Sequence, residues 1–366
     1  MHIDKILINN FKNYKTYKAS FIDGINYLFG ENGVGKTNLL DAIYYLSLGK
    51  SAINTKDDEN IRKKQKSFRI EGFYSNSNSY ICYYESNSGK KLFENNNLYK
   101  SLKKHIGKIP IVFVKPLDIN LLRGFSDSRR KFLDTLISQI DIKYLNKLVD
   151  YKRTLKQRNV YLKGIQHLRD VDEDIVKTYN EKLIELNFFI NNVRNTVIKK
   201  LNSNILAVSN KLSRERFSIE YSTNVKSDLS LVDFDKKLES DFYTKKTSIG
   251  IHNDDYIFYQ DDRLIKRYGS QGQQKIFIIS LKICEYLILK EKSENNPIIL
   301  FDDIYHKLDN KRIELLNKYL KEKIFKQIFI SDSVYERLGK VKISKDINII
   351  ELENEKTKKI KDTFNS

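Results

Sequence analysis

Gly30-Glu31-Asn32-Gly33-Val34-Gly35-Lys36-Thr37 is the stretch on which the fold turns. It is an instance of GxxxxGK[ST] with an apolar run, residues 26–29, before it and Asn38-Leu39-Leu40-Asp41-Ala42-Ile43 after it, the strand–loop–helix setting the motif needs. Glycines let the backbone bend until its N–H groups converge at a helix N-terminus. There Lys36 neutralises β/γ-phosphate oxygens and the Thr37 hydroxyl coordinates Mg2+. The pattern predicts a nucleotide site from Gly30, Glu31, Asn32, Gly33, Val34, Gly35, Lys36, Thr37 and Asn38. An ordinary glycine turn is the bland alternative.

Far downstream, Pro297-Ile298-Ile299-Leu300-Phe301-Asp302-Asp303 reads as an apolar strand delivering a carboxylate to its C-terminal end. Asp302 is the expected Mg2+ ligand, shared with Thr37. Asp303 stands where ABC-type ATPases usually carry a glutamate that polarises the attacking water, and its shorter side chain predicts slow hydrolysis. Lys36, Asp302 and Asp303 are thus the candidate catalytic residues. Ser270-Gln271-Gly272-Gln273-Gln274-Lys275, at the start of a helix, resembles the ABC signature with its Ser-x-Gly-Gln core. In that class this turn caps the γ-phosphate held by the P-loop of a second subunit, so Ser270, Gly272 and Gln273 are expected to contact nucleotide across a homodimer. A simple helix N-cap is the competing explanation for the same residues. Asp309, in Lys307-Leu308-Asp309, matches the D-loop aspartate that meets the partner.

More than half of the chain lies between Lys36 and Ser270. The first third reads as short strands at residues 5–8, 26–29, 68–73 and 80–84 around one helix beginning near Lys36. From Phe132 the apolar period changes to 3,4 spacing: Leu133, Leu136, Ile140, Tyr144, Leu148, Tyr151, Leu155, Leu162 and Ile165, with Arg158 out of place. A polar cluster, residues 169–174, interrupts it, and Tyr179, Leu183, Leu186, Ile190, Val193 and Val197 resume the spacing. One long helix, a turn and a second helix predict an antiparallel hairpin packed on itself. A strand at 217–221, a helix at 232–242 and a hairpin of strands 256–259 and 264–268 around Asp261-Asp262 follow. Helix 273–290, strand 298–301, helix 311–321 and strand 327–331 then complete an α/β lobe. The expected organisation is an ABC-type P-loop ATPase lobe, residues 1–125 and 211–366, with an inserted helical hairpin arm at 126–210. The polar tail 354–366 is expected to fray.

Lys and Arg number 66 against 47 Asp and Glu, a net charge of +19, which favours polyanionic partners, nucleic acid foremost. Lysines scattered by compositional drift would give the same sum. Cys82 and Cys284 lie far apart with no metal-ligand spacing, and neither a signal peptide nor a membrane span is visible, which predicts a soluble cytoplasmic protein.

Taken together, these blocks resemble the RecF family of bacterial recombination mediators, relatives of the SMC-type ATPases, over nearly the whole length. Asn10-Phe11-Lys12-Asn13-Tyr14, the P-loop and Gly49-Lys50-Ser51 look like its N-terminal block. Val112-Phe113-Val114-Lys115-Pro116 with Asp118, Gly124 and Arg129-Arg130-Lys131-Phe132-Leu133-Asp134 look like the entry to its arm, and Gln157-Arg158-Asn159 resembles the arm's first helix. Gly250, His252 and Asp254-Asp255 resemble a Gly-x-His-Arg-Asp-Asp stretch, with Asn253 in the basic position; His306, Ser126 and Lys115 are further departures. His252 is read as a packed histidine. The resemblance implies an ATP- and Mg2+-dependent dimer that binds double-stranded DNA next to single-stranded gaps and, with RecR and RecO, helps load recombinase. Arg129, Arg130, Arg158 and the arm lysines are candidate phosphate contacts. A transporter ATPase subunit would lack room for the arm, and an SMC coiled-coil protein would need a far longer insertion. A P-loop kinase or nuclease would have no use for the Ser270–Gln273 turn.

Overall fold

The computed structural model describes residues 1–213, 215–322, 324–334, 347–353 and 356–359, the last four as backbone. In chain order, β1 (Ile3–Phe11), β2 (Tyr14–Ser20), β3 (Ile25–Phe29), α1 (Lys36–Leu48), β4 (Ser67–Tyr74), β5 (Ser79–Glu85), β6 (Gly89–Glu94), β7 (Asn97–Leu98) and β8 (Ile111–Val114) come first. Next are α2 (Asn120–Arg123), α3 (Ser126–Ile140), α4 (Ile142–Gly164), α5 (Glu173–Leu212), β9 (Phe217–Ser222) and α6 (Leu231–Thr244). The chain continues through β10 (Asp255–Gln260), β11 (Arg263–Leu264), α7 (Ile265–Tyr268), α8 (Gln271–Lys292), β12 (Ile298–Asp302), α9 (Asn310–Leu320), β13 (Gln327–Asp332), β14 (Ile347–Glu353) and β15 (Lys356–Lys359). Of the tail expected to fray, 354–355 and 360–366 lie outside the described residues, while β15 pairs with β14. No described helix is long and apolar enough to cross a membrane.

Two compact units result. The first comprises 1–119, 207–215 and 270–366, and the second 120–206 and 216–269. The expected arm, 126–210, is therefore corrected: residues 216–269, assigned from sequence to the ATPase lobe, belong with the arm helices. The reason is covalent order misread as spatial order. β9 and β10 form a three-stranded sheet with β11 against which α3 packs, and α6 packs on α4.

In the first unit, α1 lies between two sheets, one antiparallel in the order β2-β1-β4-β5-β6-β7 and one in the order β15-β14-β3-β13-β12-β8. A helix with sheet on both sides cannot afford a polar face. Leu39, Leu40, Ala42, Ile43, Tyr45 and Leu46 are accordingly all buried, and Phe11, Tyr45 and Phe68 meet edge-on with ring centroids 5.1–6.0 Å apart. Gln327 joins the sheets: its side chain accepts from Ile3 N (3.0 Å) and donates to Ile3 O (2.8 Å) and Ile22 O (3.0 Å). β12 and β13 are buried along their whole length, as central parallel strands must be, which is why their sequences read as continuous apolar runs. Because β8, β12, β13, β3 and β14 are mutually parallel, the ends of β3, β12 and β13 fall on one edge of the sheet.

In the second unit, the single helix expected from 132 to 165 is two. Asp141 ends α3 and caps α4, its carboxylate accepting from Tyr144 N at 2.9 Å, and the apolar period runs through the break because both pieces bury the same face. α4 and α5 do form the antiparallel hairpin: Tyr161 meets Tyr179, Arg158 meets Asn180, and Tyr144 meets Arg194. The second strand expected at 264–268 is cut to Arg263–Leu264, after which the chain turns into α7; Asp261 and Asp262, at φ 45° and 63°, make the primed turn that the hairpin requires.

Arg158, the residue that broke the heptad, is wholly buried. Its guanidinium donates to Asp241 (2.8 Å), Thr247 (2.8 Å) and Asn180 (2.8 Å), tying α4, α5 and α6 together. Removing one partner leaves a buried charge uncompensated, at a cost of about 3–5 kcal/mol. Asp241→Ala is expected to lower the unfolding free energy, from urea titration followed by circular dichroism, by that order, while Arg158→Met with Asp241→Leu recovers part of the loss. A single variant as stable as the parent would show that the pair does not hold the helices.

Candidate nucleotide-binding site

β3 ends at Phe29, and the next residues turn back on themselves into α1. Gly33 and Gly35, at φ 86° and 113°, occupy backbone conformations that side chains disfavour, and a Cβ on Gly35 would stand 2.5 Å from Asn13 Nδ2 and 2.8 Å from the Tyr14 hydroxyl. Those two neighbours brace the loop from the β1–β2 turn: Asn13 donates to Val34 O (3.2 Å), Asn38 donates to Asn13 (2.8 Å), and Tyr14 donates to Gly35 O (3.0 Å). Behind them Lys12 pairs at 2.6 Å with the buried Asp41 carboxylate, which also accepts from Ser51 and Ala52, each at 2.6 Å. The Asn10–Tyr14 and Gly49–Ser51 blocks are thus the supports of the loop. Lys36 Nζ donates to Gly30 O (2.7 Å) and Glu31 O (2.8 Å), arching over the loop. Burial pushes its ammonium below the ordinary value, and Asp302, Asp332 and Asp303 pull part of that back.

Across the sheet edge, β12 presents Asp302 and β13 presents Ser331 and Asp332. Thr37 Oγ1 donates to Asp302, lying 2.9 and 2.8 Å from its two oxygens, and Ser331 Oγ donates to Oδ1 at 2.6 Å. Burial raises the Asp302 carboxyl, while the Ser331 and Thr37 hydrogen bonds pull it down. Asp303 follows at φ 49°, its amide donating to Ser331 Oγ (3.1 Å) and its side chain half exposed, 4.0 Å from His306 Nδ1. These groups line an open cleft together with Asn32, Gly33, Gly35, Lys36, Asn38, Pro116 and Ser333. Among the described residues, no cluster of three or more metal-ligating side chains exists. The Thr37 hydroxyl beside the Asp302 carboxylate is a hard-oxygen pair that fits a divalent cation completing its shell on phosphate oxygens and water.

Ser270, Gly272, Gln273 and Asp309 do not line this cleft. Ser270 caps α8 in a capping box: its hydroxyl accepts from Gln273 N (3.3 Å), and Gln273 Oε1 accepts from Ser270 N (2.8 Å). Asp309 caps α9 by accepting from Arg312 N (2.9 Å) and pairs with its guanidinium at 3.1 Å. The same Arg312 would stand 2.8 Å from a Cβ at Gly272, so the signature turn and the Asp309 turn are braced on one guanidinium, itself held by Glu215 at 2.9 Å. Within one chain, then, the P-loop, Asp302 and Asp303 come together, while Ser270, Gly272, Gln273 and Asp309 stand outside the cleft around Arg312, with Lys275 donating from the signature helix to Asp303 O at 3.4 Å.

Two of the three arginines offered as phosphate contacts, Arg129 and Arg158, are spent inside the unit, and Arg130 is half-buried. Arg158 is buried as described. Arg129, 8% exposed, forks onto Asp255 at 2.6 and 3.0 Å, and Arg130 donates to Ser126 and Asp254 O, both at 2.7 Å. The Asp255 carboxylate that takes Arg129 and the Asp254 carbonyl that takes Arg130 lie in the Gly250–Asp255 stretch, which is a structural hub. Asp254 takes Arg194 at 2.6 Å and Thr223 at 2.6 Å, and Tyr221 donates to it as well. His252 Nδ1 accepts from Tyr151 (2.6 Å) while Nε2–H donates to Thr247 O (2.8 Å), leaving the ring neutral and packed, with its pKa lowered by burial. Asn253 donates to Ser248 O at 2.7 Å. Sequence reading missed Asn13, Tyr14, Pro116, Ser331 and Asp332 at the site. The Ser-Asp end of an otherwise apolar strand, parallel to the Asp302 strand, was the available signal for the last two.

With this geometry in hand, the relatives agree. A family model, the RecF/RecN/SMC N terminal domain, matches residues 2–106. The DNA replication and repair protein RecF of Cytophaga hutchinsonii is 40% identical over 92% of this chain and 90% of its own, and that of Flavobacterium johnsoniae 36% identical over 92% and 95%. A solved structure of the recombination mediator protein RecF-ATP in the RecFOR pathway gives a TM-score of 0.87 at 29% identity, covering 98% of both chains. The Smc head domain of Pyrococcus furiosus, at 16% identity and a TM-score of 0.57 over 98% of this chain and 96% of its own, shares the fold alone. The transporter-subunit, long coiled-coil and kinase readings fall away: carrying these motifs in this fold, and alike to its relatives from end to end, the chain belongs to the RecF family of DNA replication and repair proteins.

Proposed function

We propose that the chain binds ATP with Mg2+ in the cleft at the ends of β3, β12 and β13, closes on a second copy of itself, and in that state binds double-stranded DNA beside single-stranded gaps. RecR and RecO are the partners with which it would load recombinase, in the cytoplasm. The observation that carries the reading is the division of the nucleotide residues into two clusters, Gly30–Asn38 with Asp302 and Asp303, and Ser270–Gln273 with Asp309. A second copy supplies one cluster to the other.

The loop N–H groups of residues 33–37 would hold phosphate, Lys36 would leave its loop carbonyls for β/γ oxygens, and Thr37 and Asp302 would hold Mg2+. Bound ATP-Mg2+ supplies the phosphoryl group to be transferred and the charge that draws the partner's turn. Asp303 is the residue that would orient the attacking water. Its short side chain, half exposed while only its amide joins the buried Asp302–Ser331 network, favours slow turnover, so the nucleotide acts as a switch. Exposed arm lysines such as Lys156 and Lys163 are left to meet phosphates, since Arg129 and Arg158 are committed internally.

Lys36→Arg is expected to keep the fold and weaken ATP-driven dimerisation, and Ser270→Arg to keep ATP binding while abolishing the dimer, both read by sedimentation velocity with a fluorescent nucleotide. A Ser270→Arg monomer that has lost nucleotide would place Ser270 in its own chain's site. Asp303→Asn is expected to slow phosphate release at least about tenfold and trap the ATP dimer; unchanged turnover removes Asp303 from the chemistry. Sedimentation with gapped duplex, with and without ATP-Mg2+ over a salt series, is expected to give an ATP-dependent complex that weakens steeply with salt. An ATP dimer indifferent to DNA would sink the DNA-binding half of the reading.

A further inference from the structure

Asp303 stands at φ 49°, a left-handed conformation that costs energy for a residue with a side chain and persists where the surroundings hold it. Both of its backbone polar groups are held. Its amide donates to Ser331 Oγ at 3.1 Å, and its carbonyl accepts from Lys275 Nζ at 3.4 Å. β13 grips the residue on one side and α8 on the other, and the Asp303 side chain is left to line the cleft. Lys275 is firmly placed for this. Gln274 and Ile276 beside it are buried, so α8 is anchored on both sides, while the Lys275 side chain itself is half-buried. Among the described residues its ammonium forms no ion pair, and the Asp303 carbonyl is its acceptor. Burial lowers its pKa, and the Asp303, Asp118 and Asp302 carboxylates offset part of that shift. An ammonium drawn half out of water with one protein acceptor for three donors adds less to the fold than an apolar side chain of the same length. Its charge serves the acidic edge of the sheet rather than the packing of α8.

We propose that Lys275 is a positioning residue for ATP hydrolysis: from α8 it holds the Asp303 carbonyl, and with it the backbone conformation that aims the Asp303 carboxylate at the attacking water. The inference rests on the reading above in which Asp303 orients that water. Lys275 is not among the residues that line the cleft and acts through the residue it holds. Small displacements matter here, because a nucleophile misplaced by about 1 Å reacts on the order of a hundredfold more slowly. Ser270, the residue proposed to meet the second copy's phosphate, caps the same helix. One helix end therefore joins closure over the second copy's nucleotide to the geometry of this chain's own hydrolytic residue.

Phosphate release by the full chain at saturating ATP-Mg2+, with the affinity for a fluorescent ATP analogue measured beside it, tests this on Lys275→Met, Lys275→Arg, Asp303→Asn and the double variant of Lys275→Met with Asp303→Asn. Methionine keeps the bulk and removes the donor. Lys275→Met is expected to melt and bind the analogue like the parent while kcat falls at least about tenfold, and Lys275→Arg, which keeps a donor, to recover most of the loss. The double variant is expected to be no slower than Asp303→Asn alone, as for two groups that act as one. Should methionine unfold the chain, Lys275→Gln, whose neutral side chain is shorter, carries the same comparison. A kcat equal to the parent's without the lysine, or a double variant slowed by the product of the two single losses, overturns this proposal and leaves the role of Asp303 standing. Loss of analogue affinity in Lys275→Met would place the ammonium on the nucleotide and overturns it too. Unchanged turnover in Asp303→Asn removes the underlying reading and this proposal with it.

Discussion

The Thr37 hydroxyl and the Asp302 carboxylate meet across 265 residues of chain, and the first unit is organised around that meeting. Asp302 is buried, so its charge is sustained only by donors, and the donors come from the loop after β3 and from Ser331 at the end of β13. Three strands must therefore end at the same level. The parallel register of β12, β13 and β3 provides this, and the continuous burial of β12 and β13 follows from their being inside such a sheet. α1, sealed between two sheets, fixes the loop on its other side, with the Lys12–Asp41 pair and Tyr14 setting its height. A divalent cation at Thr37 and Asp302 would replace a hydrogen bond that already holds the two groups in position, so little rearrangement is needed to admit it.

The second unit solves a different problem. Its helices pack by apolar stripes that allow some sliding, and two buried arginines remove that freedom. Arg158 binds groups on α5, α6 and the following loop, and Arg194 binds Asp134, Asp254 and Ile251 O. Such networks add little net stability over apolar packing but penalise every alternative register heavily. The Gly250–Asp255 stretch supplies two of the oxygens that hold Arg194, the Ile251 carbonyl and the Asp254 carboxylate. Asn253, by contrast, is spent on the Ser248 carbonyl at the surface of the stretch.

Much of this was legible in the sequence, for a physical reason: motifs that bind phosphate constrain adjacent residues, so Gly30–Thr37, the Asp302 strand and the Ser270 turn could be read locally. Period also showed β1, β3, β4, β5, β12 and β13 and the helices between them, but not β2, β6, β7, β8, β14 or β15, which are placed by pairing with their neighbours. What escaped depends on long-range pairing. A heptad stripe continues through Asp141 because capping changes the backbone without changing the buried face. An arginine on an apolar stripe looks like an exposed cation until the aspartate 83 residues later is placed beside it. Residues 216–269 alternate like the flanking lobe, and only their contacts assign them to the arm unit. Asp332 carries no motif, since its importance comes from the neighbouring strand.

The capping box at Ser270 has one more consequence. Its two side chains are satisfied by each other's backbone, so the turn at the head of α8 is rigid in the single chain, and the amides of Gln271 and Gly272, as the first residues of the helix, keep no intrahelical acceptor. The turn is therefore a finished receptor surface whose conformational entropy was lost when the chain folded. In the proposed dimer, the readiness to close would then be governed by whether phosphate stands opposite, and the rate of opening by how long that phosphate lasts, making the chain a timer whose interval is written in the nucleotide.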